Sequence, residues 1–208
     1  MSTAQHPNPH AAQWMQFEAC TTEHQLTVVH DDGLYRHLRM AKPGTGIWSW
    51  NVVTWPWHLY VGGDIGQGYV FSREEDMIGF FQIGAFRDYY GDGSPSINPQ
   101  YWAEKLDRAC IDSAESYDRE RFTVLVREHI ADALLCGEMD RERAKELRLE
   151  IPDVADFEET AREWLGSHPD EFPDSWEWHL KGWDHHYLLA CYAVATTVRA
   201  YRTARATT

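Results

Sequence analysis

Residues 26–82 constrain the chain most: they read LTVVHDDGLYRHLRMAKPGTGIWSWNVVTWPWHLYVGGDIGQGYVFSREEDMIGFFQ, short β-prone runs separated by turn-forming di- and tetrapeptides. Connections this short suit hairpins, so the spacing predicts an antiparallel meander of about five strands. Its strands are expected at Leu26–His30, Leu34–Met40, Ile47–Trp55, His58–Gly62 and Tyr69–Ser72. Asp31-Asp32-Gly33 supplies the positive φ of the first turn. In the second strand Leu34, Leu38 and Met40 share a face, with Arg36 falling on the same row. The third strand has apolar groups on both faces, which predicts a central strand covered at least partly on each side. Pro56 cannot donate to a ladder, so Trp55-Pro56-Trp57 is read as a corner or sheet edge.

Beyond the strands the pattern turns helical. Ser72 and Glu75 have capping-box spacing ahead of Met77, Ile78, Phe80 and Phe81. Asn98-Pro99 opens a helix with Trp102, Leu106, Ala109 and Cys110 inward. The helix over Tyr117–Leu135 has the clearest apolar stripe and ends at Gly137, and Asp140–Leu149 is a charged helix stopped by Pro152. Asp153 is expected to cap a helix burying Val154, Phe157, Ala161, Trp164 and Leu165, and Asp184 to cap the last one, to about Tyr201. The fold class is therefore α+β: the N-terminal antiparallel sheet with about five C-terminal helices packed on it. Residues 1–12 are read as a disordered arm, and 13–208 as one domain, sheet-rich over 24–82 and helical over 98–202.

The formal net charge of −14 is concentrated in the middle of the chain. Over 150–177 ten carboxylates stand against Arg162 alone. Such a surface repels phosphates and anionic lipid, so no direct nucleic acid and no membrane partner is expected, and a basic protein surface would be attracted. Cys20, Cys110, Cys136 and Cys191 lie singly, as reduced, mostly buried thiols of a cytosolic protein rather than a disulfide framework or a zinc site. The N-terminal residues lack the basic and apolar regions of a signal peptide.

No catalytic residue is assigned and no cofactor is expected. Gly62–Gly68 is rich in glycine, but a strand follows it and it holds no lysine, so it reads as a hairpin rather than a phosphate loop. Three sets of residues carry candidate binding chemistry. Trp48 and Trp50, with Arg36 or Arg39 as an anion contact, would make a ligand platform if one sheet face were open; core packing is the competing reading of the indoles. Glu158, Glu159, Glu163, Asp170 and Glu171 are the candidate partner-binding carboxylates. His179, Asp184, His185 and His186 form the best metal-like cluster. The triplet Asp184-His185-His186 resembles the signature of the DHH phosphoesterases, but those enzymes also need an aspartate motif on an early strand of a parallel sheet, which is missing here. Helix capping by Asp184 accounts for the triplet without a metal.

The stretch also resembles a family of small uncharacterised proteins encoded in tailed bacteriophages and prophages. The likeness lies in LYRHLR at 34–39, the Pro43-Gly44 turn, the Trp55-Pro56 corner, the Gly63-Asp64-Ile65-Gly66 hairpin and Val70-Phe71-Ser72-Arg73, with the terminal helix Tyr187–Tyr201 related as well. It implies a phage setting and the cytoplasm of a bacterial host, and brings no established activity. The leading expectation is a non-enzymatic acidic binding module that occludes a host protein with a basic surface, such as a defence protein. The alternatives are a small-ligand or nucleotide binder using a tryptophan-rich sheet face, and a metal-dependent hydrolase.

Overall fold

A computed structural model describes residues 7–207. Helix α1 (Ala11–Thr21) precedes a sheet of β1 (Gln25–Asp32), β2 (Tyr35–Ala41), β3 (Trp50–Trp55), β4 (His58–Gly63) and β5 (Gly66–Ser72). The strands lie in sequence order and every neighbouring pair is antiparallel, which is the expected meander. Gly33, at φ 60°, makes the β1–β2 turn, as its Asp-Gly context dictates. Part of the expected N-terminal arm lies outside the described residues. The rest is ordered by contacts: Asn8 Nδ2 donates to Asp92 and to Ser94 Oγ, and Ala11 and Ala12 already belong to α1.

One face of the sheet is covered and the other is not. Leu38, Trp50, Val52, Leu59, Val61, Tyr69 and Phe71 are buried beneath the helices, whereas the alternate residues of β2–β5 stay partly accessible. Strand β3 is central as expected, and its second face is covered only in part, by neighbouring side chains rather than by a packed layer. Trp50, Val52 and Thr54 are buried, and Asn51, Val53 and Trp55 on the other face pack against no core cluster. The strand also starts later than expected, because Ile47 is 67% exposed and Trp48 leaves the extended region at φ 56°.

Helix α2 (Met77–Phe86) begins at Asp76, not from a box at Ser72 and Glu75. Ser72 ends β5 and its N–H donates to Lys105 O, so it is part of the sheet; the Asp76 carboxylate caps Ile78 N and also receives both Nη groups of Arg36. Asn98 caps α3 (Pro99–Ala103) as expected. The single helix expected there breaks, since Leu106 bridges to Phe71 and Asp107 N donates to Val70 O before Asp107 caps α4 (Arg108–Ile111).

The described residues fall into two compact units. Those up to Ala114 and from Trp183 onward form the first, and Glu115–Gly182 form an inserted second. The insert opens with β6 (Glu115–Tyr117) and contains α5 (Arg119–Cys136), α6 (Arg141–Val154), α7 (Glu158–Ser167) and a 3-10 turn at Ser175–Glu177. It closes with β7 (Lys181–Trp183), which pairs with β6. Its stripes meet one another, and Phe122, Val126, Ile130, Leu147, Ile151, Trp164, Leu165 and Phe172 make a separate core. Gly137, left-handed at φ 75°, ends α5 as expected. Pro152 does not stop α6: it sits in the last turn, where few hydrogen bonds remain to be lost, and the helix runs to Val154. Asp153 is thus helical, and Phe157, 65% exposed rather than inward, precedes α7.

Helix α8 (His185–Ala206) holds the first unit together. Asp184 Oδ1 accepts from His186 N and Tyr187 N, as its capping position predicted. The helix runs under the sheet with almost every residue from Tyr187 to Val198 buried. Its Thr197 accepts the Trp50 indole N–H at 2.8 Å, which satisfies the one polar atom of a fully buried ring.

Candidate functional site

The insert carries most of the charge. Residues 115–182 hold nineteen carboxylates and nine lysines and arginines, a net −10 of the chain's −14. Its core is apolar, so the charges lie on its surface. The five sequence-selected carboxylates do not behave alike there. Arg143 draws in Glu171, with a guanidinium–carboxylate contact of 2.6 Å. That hydrogen bond holds the Glu171 carboxyl below its usual range, against the opposing effect of partial burial. Glu158 pairs with Arg162 one turn on, at 3.4 Å. Glu159, Glu163 and Asp170 are exposed and make no ion pair among the described residues. Asp153, exposed in α6, is likewise unpaired. These free carboxylates, with Glu158 and Glu159 in the favourable first turn of α7, form an acidic face open to a partner. His129, from the stripe of α5, donates its Nε2 proton to Glu171 O at 2.8 Å, so it fastens the 168–173 segment.

The ligand set Trp48, Trp50, Arg36 and Arg39 is not brought together. Trp50 is fully buried against Phe17 and His24. Arg36 points to the same helix-covered side, held by Asp76 at 2.9 and 3.1 Å with its guanidinium 5.8 Å from the Tyr201 ring. Arg39 lies on the opposite, open face, where Nη2 donates to Ser49 Oγ at 3.1 Å. Trp48 is elsewhere again. Asp64 Oδ2 accepts its N–H at 2.8 Å and its carbonyl accepts from His24 Nε2 at 3.1 Å, which together hold the residue at its positive φ.

Trp48 does meet part of the metal-like set. An open cavity of about 440 Å³ is lined by Gln16, Trp48, Asp64, His185, His186 and Leu189 together with the β4–β5 turn. The arrangement depends on Gly66: at φ 121° it lies so close to α8 that a Cβ there would come 2.5 Å from His186 Nδ1. His186 Nδ1 donates to Ile65 O at 3.2 Å, and Asp184 is occupied as the helix cap. His179 lies 3.6 Å from Glu115 within the insert. Among the described residues no three His, Cys, Asp or Glu side chains are grouped to hold a metal ion. The expectation of mostly buried cysteines is corrected, since Cys20 and Cys136 are exposed on helix surfaces and Cys110 is half-buried; Cys191 is wholly buried, and burial pushes its thiol up, away from the reactive thiolate form. No helix among the described residues is long and apolar enough to cross a membrane.

Sequence reasoning missed the open face of the sheet. By register, Tyr35, Trp55 and His58 form one row across β2, β3 and β4, and His37, Val53 and Tyr60 the next. Trp55 and His58 stack with ring centroids 5.0 Å apart and planes 11° from parallel. His37 Nε2 and Asn51 Oδ1 are hydrogen-bonded at 2.9 Å. The signal was the period-2 alternation itself, followed from strand to strand rather than within one strand.

No family model matches this chain, nor does any curated protein or solved structure.

Proposed function

We propose that the chain is a non-enzymatic binding protein whose acidic insert docks on a basic surface of a partner protein. The observation that carries this reading is the segregation of charge: net −10 sits on a separately cored helical insert, with Asp153, Glu159, Glu163 and Asp170 left unpaired. Carboxylates placed this way steer a positively charged partner and set the rate of encounter. The resemblance to phage-encoded proteins supports a bacterial host protein as that partner, and a defence protein as the one whose occlusion would benefit a phage.

The test is affinity capture from host lysate with the full chain and with an E159K/E163K/D170K variant, at low and at high salt. A host protein retained by the wild type at low salt, released by high salt and not retained by the variant supports the reading. Equal retention by both chains, at either salt concentration, overturns it. Circular dichroism of the variant must match the wild type, as exposed charge substitutions predict.

A further inference from the structure

The uncovered face of the sheet is a built surface rather than a bare one. Its central strands present Tyr35, His37, Trp55, His58 and Tyr60, and β1 adds His30, which pairs with His37. None of these rings packs against either hydrophobic core. Tyr60 is laid flat by two glycines: a Cβ on Gly62 would run into its hydroxyl, and one on Gly68 would come 2.6 Å from its ring. Glycine weakens a strand interior, so two of them under one aromatic ring keep a shape at a cost in stability. The result is a ring that rests on the sheet and stays partly accessible. Trp55 and Tyr60 are diagonal neighbours on adjacent strands, about 7–8 Å apart at the backbone, within reach of one small ligand.

Charge and polarity select the occupant. Beside its histidines, the register places Arg39 and Asp32 among these rows, one residue of each sign. A nucleic acid would need several lysines or arginines to replace its counterions, and an anionic membrane would need the same. The aliphatic surface here is limited to Val53 and Val70, flanked by Asn51, His37, Arg39 and Ser72. The face therefore offers flat apolar rings bordered by polar donors and acceptors, with one guanidinium and one carboxylate that balance in charge. A ligand that matches it has apolar C–H faces, hydroxyl edges and no charge. We propose that this face binds a neutral carbohydrate, stacked on Tyr60 and on the side of Trp55 away from His58, with its hydroxyls on His37, Asn51 and Arg39. This site lies in the first unit and does not depend on the acidic insert.

The experiment is titration of the full chain with maltotetraose, cellotetraose and tetra-N-acetylchitotetraose, followed by saturation-transfer NMR and calorimetry, with a deoxythymidine dodecamer in parallel. The expected result is millimolar or tighter binding of at least one sugar, weakened about tenfold or more by Trp55→Ala and by Tyr60→Ala. Trp57→Ala, an exposed tryptophan in the β3–β4 turn, should leave that binding unchanged. If Tyr60→Ala unfolds, Tyr60→Leu keeps an apolar cover over the glycines and still removes the ring. The proposal is overturned if no sugar of the panel binds, if binding survives Trp55→Ala combined with Tyr60→Leu, or if the oligonucleotide binds in place of the sugars.

Discussion

The two units of this chain solve the problem of burying apolar surface in different ways. The first wraps one sheet face and four helices, α1, α2, α3 and α8, around large rings: Trp14 lies 5.1 Å from Tyr192, Phe17 5.3 Å from Trp50 and Phe81 4.7 Å from Trp102. The insert packs three helices around a smaller core, in which Phe122, Trp164 and Phe172 sit among aliphatic side chains and the buried Ala144, Ala155 and Ala161. Rings bring large buried area per residue and demand partners for their polar atoms, as the Trp50–Thr197 and Tyr187–Pro99 hydrogen bonds illustrate. Small residues let helices approach closely and leave the charged outer faces to be set independently. The difference teaches where each unit carries its surface chemistry: on the spare face of a sheet in the first, and on the outer faces of the helices in the insert.

Truncating Trp50 to Ala should break the first unit most severely, by about 3–5 kcal/mol, because a fully buried ring is lost and Thr197 is left facing a cavity. Native-state hydrogen exchange would then show lost protection in α8 and the sheet while the amides of Phe122, Val126 and Ile130 stay protected. Parallel loss in α5 would show that the units are energetically one. The reciprocal change, Leu147→Ala in the insert core, should cost about 3 kcal/mol in denaturant unfolding and leave the exchange of β2–β4 amides unaltered.

A smaller effect sharpens the comparison at a single turn. Gly66→Ala forces a left-handed φ on a side-chain-bearing residue and a clash with His186, so it should lower the stability of the first unit by about 2 kcal/mol. Thermal unfolding would measure this, and the double variant with His186→Ala should recover part of the loss, since the ring atoms of the clash are then gone.

The smallest expected effect lies on the insert surface. Glu171 is held ionised by Arg143, so its folded pKa is depressed and its contribution is present above the unfolded value of 4.5, then lost as pH falls through the folded value. Glu171→Gln should therefore lower stability near neutrality and cease to differ from wild type in acid. A difference independent of pH, followed by urea titration, would assign the loss to packing instead.

Several of these features could be read from residues near in sequence. Asp184 before His185 and Gly137 after Cys136 acted as cap and stop because each needs only the backbone within one turn of itself. Asp76 was missed as the start of α2 because its choice over Ser72 rests on Arg36, forty residues away, and on the pairing of Ser72 with Lys105. Pro152 and Asp153 misled for the same kind of reason, since the buried side of α6 at Leu147 and Ile151 carries the helix past them. Of the candidate sites, the acidic character of the insert was legible as composition. Its division into paired Glu158 and Glu171 and unpaired Glu159, Glu163 and Asp170 was not, because Arg143 is distant from Glu171 in the chain.

The alternation and turn chemistry of residues 26–82 were enough to specify a five-stranded antiparallel meander, since each hairpin is closed by contacts between consecutive runs. Alternation assigns residues to two faces and is silent on which face is covered. That choice waits for α8, more than a hundred residues later, whose Thr197 meets Trp50 and whose apolar length needs one side of the sheet. Packing α8 there buried Trp50 and Arg36, and it left Trp55, His58 and Tyr60 on the side facing water.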